Sequence, residues 1–256
     1  MKPPILIPHA SGTNRDVEAA QALSLAGGDP RIVHVRELVA GRTGILDHAG
    51  VLLPGGFSYG DSLGAGARLA LELREWFGEE LRETVRLGRP ILGICNGFQA
   101  LVRSGLLAGP VGTDGARRVT LTENRSGRFE CRWVTVRVES GSRSSWLAPV
   151  DGLIRCPVAH GEGRLAVAAP KVEHDLVQAA LVAFRYVMPD GRDADGGYPA
   201  NPNGSAADVA GLTDASGAVV GLMPHPEDHV VAWQHPGVPS PHSGLPLFEA
   251  FVAAAR

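Results

Sequence analysis

Gly93-Ile94-Cys95-Asn96-Gly97 constrains this chain more than any other stretch. A cysteine with glycines two residues before and two after it follows a short apolar run, Pro90-Ile91-Leu92, and precedes a helix-like segment, residues 97–103. That pattern predicts a sharp strand-to-helix turn. The glycines let strand and helix approach without Cβ clashes, and the turn pushes the central side chain outward. It also aims the following N–H groups and the helix N-terminus at one spot, which favours a thiolate and an oxyanion together. The alternative is a buried, inert cysteine, the commonest fate of a free thiol. The flanking glycines favour the nucleophile.

Composition bounds the setting of that turn. The 256 residues suffice for one large α/β domain or two small ones, and 44% hydrophobic with 20% charged residues supplies a core. The net charge, 24 − 27 = −3, argues against a general nucleic-acid or anionic-membrane surface. Cys95, Cys131 and Cys156 show no Cys-x-x-Cys spacing. A disulfide framework and a cysteine-based zinc site are therefore disfavoured, and a reducing cytoplasm fits. Residues 1–8 carry no signal-peptide apolar core, and no run approaches the roughly 18 apolar residues of a membrane helix.

Strand and helix signals alternate along the first half. Residues 5–7, 31–35 and 51–53 read as short strands, and residues 69–87 as a helix with a break at Gly78. Thr13 is expected to cap a helix running to Ala26, with Asp16 completing an approximate capping box and Gly27-Gly28 as the stop. This alternation predicts an α/β fold, an open and mostly parallel sheet with helices on both faces, which binds ligands at the carboxyl ends of its strands. Cys95 and the loop Pro54-Gly55-Gly56-Phe57-Ser58-Tyr59-Gly60-Asp61 fall at that edge. Residues 119–223 read as β-rich additions, with strands at 129–138, 153–154, 165–167 and 181–186. Residues 109–117 and 234–245 read as surface segments, and residues 247–255 as a closing amphipathic helix.

A cysteine nucleophile needs a base, and the base needs an orienter. Of nine histidines, His225 stands out in Met223-Pro224-His225-Pro226-Glu227, directly after the apolar run 219–223. Pro226 biases His225 towards an extended backbone, in which residues i and i+2 share a face, so Glu227 can hold the imidazole in one tautomer. A surface His-Pro turn is the alternative. Gly55-Gly56 is either a turn or a source of N–H groups for an oxyanion. Pro157-Val158-Ala159-His160-Gly161-Glu162-Gly163 is either a loop with a solvated carboxylate or a presentation of His160 and Glu162 to the amino group of a zwitterionic substrate. Gln99 lies one helical turn after Cys95 and faces either the same pocket or solvent. The turn-rich stretch 198–205 is structural by default, and Cys131 and Cys156 read as core fillers. No spacing matches a zinc signature, and a metal site is not expected.

Five stretches carry a resemblance: Gly93-Ile94-Cys95-Asn96-Gly97-Phe98-Gln99, the loop 54–61, residues 157–163, Asn201-Pro202-Asn203-Gly204-Ser205, and Met223-Pro224-His225-Pro226-Glu227. Together with Gly12-Thr13-Asn14-Arg15-Asp16 they resemble class I glutamine amidotransferases over nearly the whole chain. More narrowly they resemble the glutaminase subunits of phosphoribosylformylglycinamidine synthases of purine biosynthesis. The resemblance implies one amidotransferase domain over residues 1–256 with a flavodoxin-like core. It implies a Cys95–His225–Glu227 triad that hydrolyses glutamine, with Gly56 and Asn96 as oxyanion donors. Gly55, Phe57, Gln99, His160, Gly161 and Glu162 become candidates for substrate contact. It implies no cofactor in this chain, ATP and Mg on a separate synthetase subunit that receives the ammonia, and a small third subunit beside them. Two departures stand out: Asp228 where relatives usually carry arginine, and the length of segment 234–245. The rivals are a non-catalytic stress or sensor protein and a cysteine peptidase on the same cysteine-elbow fold. The His-Pro-Glu ending counts against the sensor.

Overall fold

Apolar runs of three or four residues, each bounded by glycine or proline, become the centre of the molecule. The computed structural model describes residues 1–107, 118–237 and 240–256; the surface segment expected at 109–117 lies outside the described residues. In chain order the elements are β1 (Pro4–His9), α1 (Asp16–Leu25), β2 (Asp29–His34), α2 (Val35–Val39), β3 (Gly50–Leu53), α3 (Ala67–Glu75), α4 (Gly78–Arg86), β4 (Ile91–Ile94) and α5 (Asn96–Ser104). They continue with β5 (Val119–Thr122), β6 (Glu130–Val138), β7 (Leu153–His160), β8 (Arg164–Val167), α6 (Pro170–Gln178), β9 (Val182–Val187), β10 (Val209–Thr213), β11 (Val219–Leu222) and α7 (Leu245–Ala254).

Nine strands form one sheet in the order β2-β1-β3-β4-β11-β10-β9-β6-β7, and β5 pairs with β8 apart from it. From β2 to β11 the neighbours are parallel. From β11 to β7 they are antiparallel. Every residue of β3, β4 and β11 is buried, as parallel strands covered on both faces require. Helices join the parallel strands, and among them α1 packs with α7 and α3 packs with α5. In β7 burial alternates strictly, which marks a strand with one face towards the core.

The antiparallel half curls back over the parallel half. The edge strand β7 returns to the carboxyl ends of β4 and β11: His225 N–H donates to Pro157 O at 2.8 Å, and Cys95 Sγ lies 3.8 Å from Ala159 O. Pro157 is tolerated inside β7 because an edge strand has one row of N–H groups that no neighbouring strand needs. Residues 157–160 are therefore strand, not loop.

Three expectations are corrected. Thr13 does not cap α1: the position before the helix is Arg15, without a side-chain cap, and Thr13 Oγ1 accepts from Ala10 N–H in a tight turn. Asp16 binds His9 Nδ1 at 2.8 Å rather than closing a capping box. Cys131 is exposed on β6, and only Cys156 fills the core. The break in segment 69–87 falls at Trp76–Phe77, next to Gly78.

The glycines of the cysteine turn are required by contact. A Cβ on Gly97 would stand 2.1 Å from Leu53 O, and one on Gly93 would stand 2.5 Å from Leu101 Cδ1. Neither β3 nor α5 can retreat without opening the core. Gly97→Ala is expected to lower stability by about 2–3 kcal/mol or more, read as a lower urea midpoint. Gly141→Ala, at a site with nothing within 4 Å, is expected to stay within about 0.5 kcal/mol. Equal midpoints for the two variants would refute the close approach.

Candidate active site

Cys95 occupies the junction of β4 and α5 with φ 49° and ψ −103°. A non-glycine residue held there costs on the order of 1–3 kcal/mol, and such strain persists only where the surroundings impose it. They do so here through the Cys95 N–H, which donates to Leu222 O at 2.8 Å, and the Cys95 carbonyl, which accepts from Gln99 N–H at 3.0 Å. The first N–H groups of α5, Asn96 among them, have no acceptor within their own helix and are open to an anion beside the sulfur.

His225 and Glu227 meet through a tight 3₁₀ turn, Pro226–Asp228, rather than along an extended chain. His225 Nδ1 and Glu227 Oε1 are 2.7 Å apart, with both side chains buried. The other ring nitrogen, Nε2, has no hydrogen-bond partner of its own, and the ring faces the Cys95 thiol. Burial opposes charge on this ring, but the Glu227 carboxylate and Cys95 outweigh it and hold the imidazole well above its ordinary pKa. Gly55 backs the ring: a Cβ there would lie 2.6 Å from His225 Cε1.

A cavity of about 160 Å³ opens beside the sulfur, lined by Gly56, Phe57, Asp61, Cys95, Gln99 and His160 together with Ala65, Phe129, Ala159, Gly161 and Glu162. Of the residues expected to contact substrate, Phe57, Gln99, His160, Gly161 and Glu162 are in this lining. Gly55 is not, and its place is behind the imidazole. Gln99 is buried with both polar ends engaged: Nε2 donates to Glu162 O at 2.7 Å and Oε1 accepts from Asn96 Nδ2 at 3.2 Å. Glu162 is not a solvated carboxylate, since Arg103 Nη2 lies 3.1 Å from its Oε2 and Ala65 N–H points at both oxygens. His160 is buried, and burial first, then His225, push it down to about 3, so the ring is neutral. Gly163 makes room for it, because a Cβ there would lie 2.2 Å from His160 Cε1.

The glycine loop is tied to the helix after the nucleophile. Asn96 Oδ1 accepts from Ser58 N–H and Ser58 Oγ, and Asn96 Nδ2 donates to Asp61 Oδ1 at 2.9 Å. On its other side Gly56, at φ 131°, bridges Thr13, and a Cβ there would lie 2.6 Å from Asn14 N. The motif 12–16 thus braces the loop. The turn 201–205 does the same for β7: Asn203 Nδ2 donates to Gly163 O at 2.8 Å.

A family model described as the CobB/CobQ-like glutamine amidotransferase domain matches residues 2–256. The chain belongs to that glutamine amidotransferase family. It is 47% identical over 243 residues, 90% of each chain, to the phosphoribosylformylglycinamidine synthase subunit PurQ of Treponema denticola. It is 43% identical to the subunit of the same name from Dehalococcoides mccartyi, covering 98% of this chain and 97% of that one. Among solved structures it resembles a chain of PurLQS from Thermotoga maritima, with a TM-score of 0.74, 32% identity and full coverage of both chains.

In this amidotransferase, several lining or bracing residues escaped the sequence reading. Asp61 stood inside a quoted motif but read as its end. Asn124, which holds His160 Nδ1 at 3.2 Å and Gly163 N–H at 3.0 Å, stood in no motif at all. Among the described residues, no cluster of His, Cys, Asp or Glu is arranged for a metal ion.

Asp228 supplies a pH test. Burial, and then Glu227, raise its carboxyl to about 6, and His225 and then Arg15, 3.7 Å away, only partly offset them. The folded state therefore holds a proton that the unfolded chain releases near pH 4, so this residue costs stability as pH rises from about 4 to about 6. Asp228→Asn removes that cost. At pH 7.5 the variant is expected to gain on the order of 2–3 kcal/mol, and roughly half as much at pH 5. Calorimetric melting at both values checks this. A gain that is absent at pH 7.5, or larger at pH 5, would contradict it.

Proposed function

We propose that the chain is the glutaminase subunit of a phosphoribosylformylglycinamidine synthase, and that Cys95, His225 and Glu227 are its catalytic triad. The observation that carries the chemistry is the convergence of a strained cysteine turn, a buried His225–Glu227 pair and a small cavity at one sheet edge. The names of its 43–47% identical relatives support the specific reaction. A cavity of about 160 Å³ suits one small amide better than a peptide, whose recognition needs an extended groove.

On this reading the Cys95 thiolate adds to the side-chain amide carbon of glutamine, and the carbonyl electrons move to oxygen. Backbone N–H groups of Gly56 and Asn96 receive that oxyanion. The His225 imidazolium gives its proton to the amide nitrogen as the C–N bond breaks, releasing ammonia and leaving a glutamyl thioester. His225, now neutral, takes a proton from water. The hydroxide adds to the thioester carbon, the C–S bond breaks, and glutamate leaves with the thiolate restored. Glu227 holds the ring in the tautomer that places Nε2 at the sulfur.

The chain itself uses no cofactor in this scheme. ATP and Mg belong to the synthetase subunit, which converts formylglycinamide ribonucleotide to formylglycinamidine ribonucleotide with the ammonia. A small third subunit completes the complex. No helix among the described residues is long and apolar enough to cross a membrane, and we place the complex in the cytoplasm. Phe57, which is exposed, and Tyr59, half-buried in the same loop, are with the tail segment 234–245 our candidates for the synthetase contact.

Three measurements test this. An electrophilic glutamine analogue is expected to label Cys95 and spare both exposed Cys131 and Cys156, whose thiol burial pushes up. Cys95→Ser and His225→Ala are each expected to lower glutamine turnover by at least about 10³-fold, with Glu227→Gln less damaging. Turnover that survives Cys95→Ser rejects the mechanism. Ammonia release is expected to rise at least about tenfold when the synthetase subunit and its nucleotide substrates are added, a coupling of roughly 1.4 kcal/mol. Equal rates with and without the synthetase reject activation by docking.

A further inference from the structure

Two carboxylates line the cavity beside Cys95, and they differ in how they are compensated. Glu162 is satisfied by Arg103 at 3.1 Å and by Ala65 N–H at 3.2 and 3.3 Å. Asp61 is half-buried, and only its Oδ1 is engaged, by Asn96 Nδ2 at 2.9 Å and Gly66 N–H at 3.4 Å. Among the described residues, Oδ2 has no donor and no Lys, Arg or His nitrogen lies within 4.0 Å of the carboxylate. Burial, with Glu162 adding to it, raises the Asp61 carboxyl against the pull of Gly66, Asn96 and Arg103. A partly buried carboxylate without a cation is costly to keep.

The backbone adds to that cost. Asp61 has φ 52°, and its loop neighbours Tyr59 and Leu63 have φ 57° and 71°, three non-glycine residues in the left-handed region. The loop is nevertheless pinned to α5 by Asn96, which sits next to the nucleophile. Strain and an uncompensated charge are thus maintained together on the wall of the cavity that holds Cys95.

We propose that Asp61 receives the α-ammonium group of glutamine and thereby selects an α-amino acid over other primary amides, an inference that rests on the glutaminase reading above. The reacting amide lies at one end of glutamine and the ammonium at the other. With the amide carbon at Cys95, Asp61 is the one lining carboxylate without a cation of its own. Gln99, both of whose polar ends are consumed by Asn96 and Glu162, ties α5 to the turn after β7 and has no polar atom left for the ammonium. His160 Nε2 also lines this space without a partner, but a neutral ring offers an acceptor and no countercharge.

The test compares glutamine with glutaramate, the same amide without the α-amino group, using the full chain together with the synthetase subunits. Wild type is expected to prefer glutamine by at least about tenfold in kcat/KM. Asp61→Asn keeps an acceptor for Asn96 and Gly66 and loses only the charge. It is expected to raise the glutamine KM about 10- to 100-fold with kcat changed by no more than a few-fold. Its kcat/KM for glutaramate is expected to be unchanged or to rise. Parallel losses on both amides would mean that Asp61 merely shapes the loop, and would overturn the assignment. So would a wild type that does not discriminate between the two, whatever the stability of the variant. A wild type inert towards both amides would overturn the glutaminase reading and the subsite with it.

Discussion

The close approach of α5 to β3 and β4 is what the rest of the site depends on. With Gly97 against Leu53 O and Gly93 against Leu101 and Gly97, the chain turns from strand to helix in one residue, and that residue is Cys95. The left-handed backbone at Cys95 is strain that close packing can hold, because neither the sheet nor the helix has room to relax. The same turn brings the first N–H groups of α5 to the sulfur. Strain, thiol position and anion donors are therefore one geometric fact, set by two missing Cβ atoms.

Charge is the second constraint. His225 and Glu227 are buried together, and an unpaired charge in that place would cost several kcal/mol. Glu227 compensates the imidazolium, while Asp228 and the thiol of Cys156 are each raised first by their own burial and then by the Glu227 charge. The core cysteine is thereby kept protonated, chiefly by its burial. Selectivity among the three thiols follows from position: Cys131 is accessible but has no base, Cys156 has neither access nor ionisation, and Cys95 alone faces the ring.

The parallel half of the sheet, the cysteine turn and the His-Pro-Glu ending were legible because each is local. Apolar runs bounded by glycine and proline mark β1, β3, β4 and β11, and glycine spacing marks the turn. The curl that brings β7 to the carboxyl ends of β4 and β11 was not legible, because it arises from twist accumulated over antiparallel pairings far apart in the chain. Pro157 was a clue misread as a loop signal, when it marks an edge strand. Asn124 escaped notice for a similar reason, and Asn203 was noticed only as part of a turn. An asparagine in a turn looks like turn chemistry, and only the fold shows that Asn124 clamps His160 O at the end of β7 and that both amides hold Gly163 just beyond it. Short helix α6 buries just Val172 and Leu176, too few positions to establish a helical period.

The glycine loop joins these constraints. It touches β7 through Ala65 and Glu162, α5 through Asn96, and the loop after β1 through Gly12, whose carbonyl accepts from Phe57 N–H. Leu63 is exposed on the loop, while Gly56, Phe57 and Asp61 line the cavity, Phe57 with part of its ring in solvent. A contact on its exposed residues therefore bears on the same short peptide segment that carries Gly56 and Asp61 into the cavity wall. A loop held in left-handed conformations at several positions has alternative conformations of lower intrinsic energy, and its geometry is maintained by hydrogen bonds rather than by backbone preference. On the proposed function that balance matters. Ammonia made away from its acceptor is lost as ammonium, so a synthetase contact that shifted this loop would tie glutamine cleavage to the presence of the synthetase.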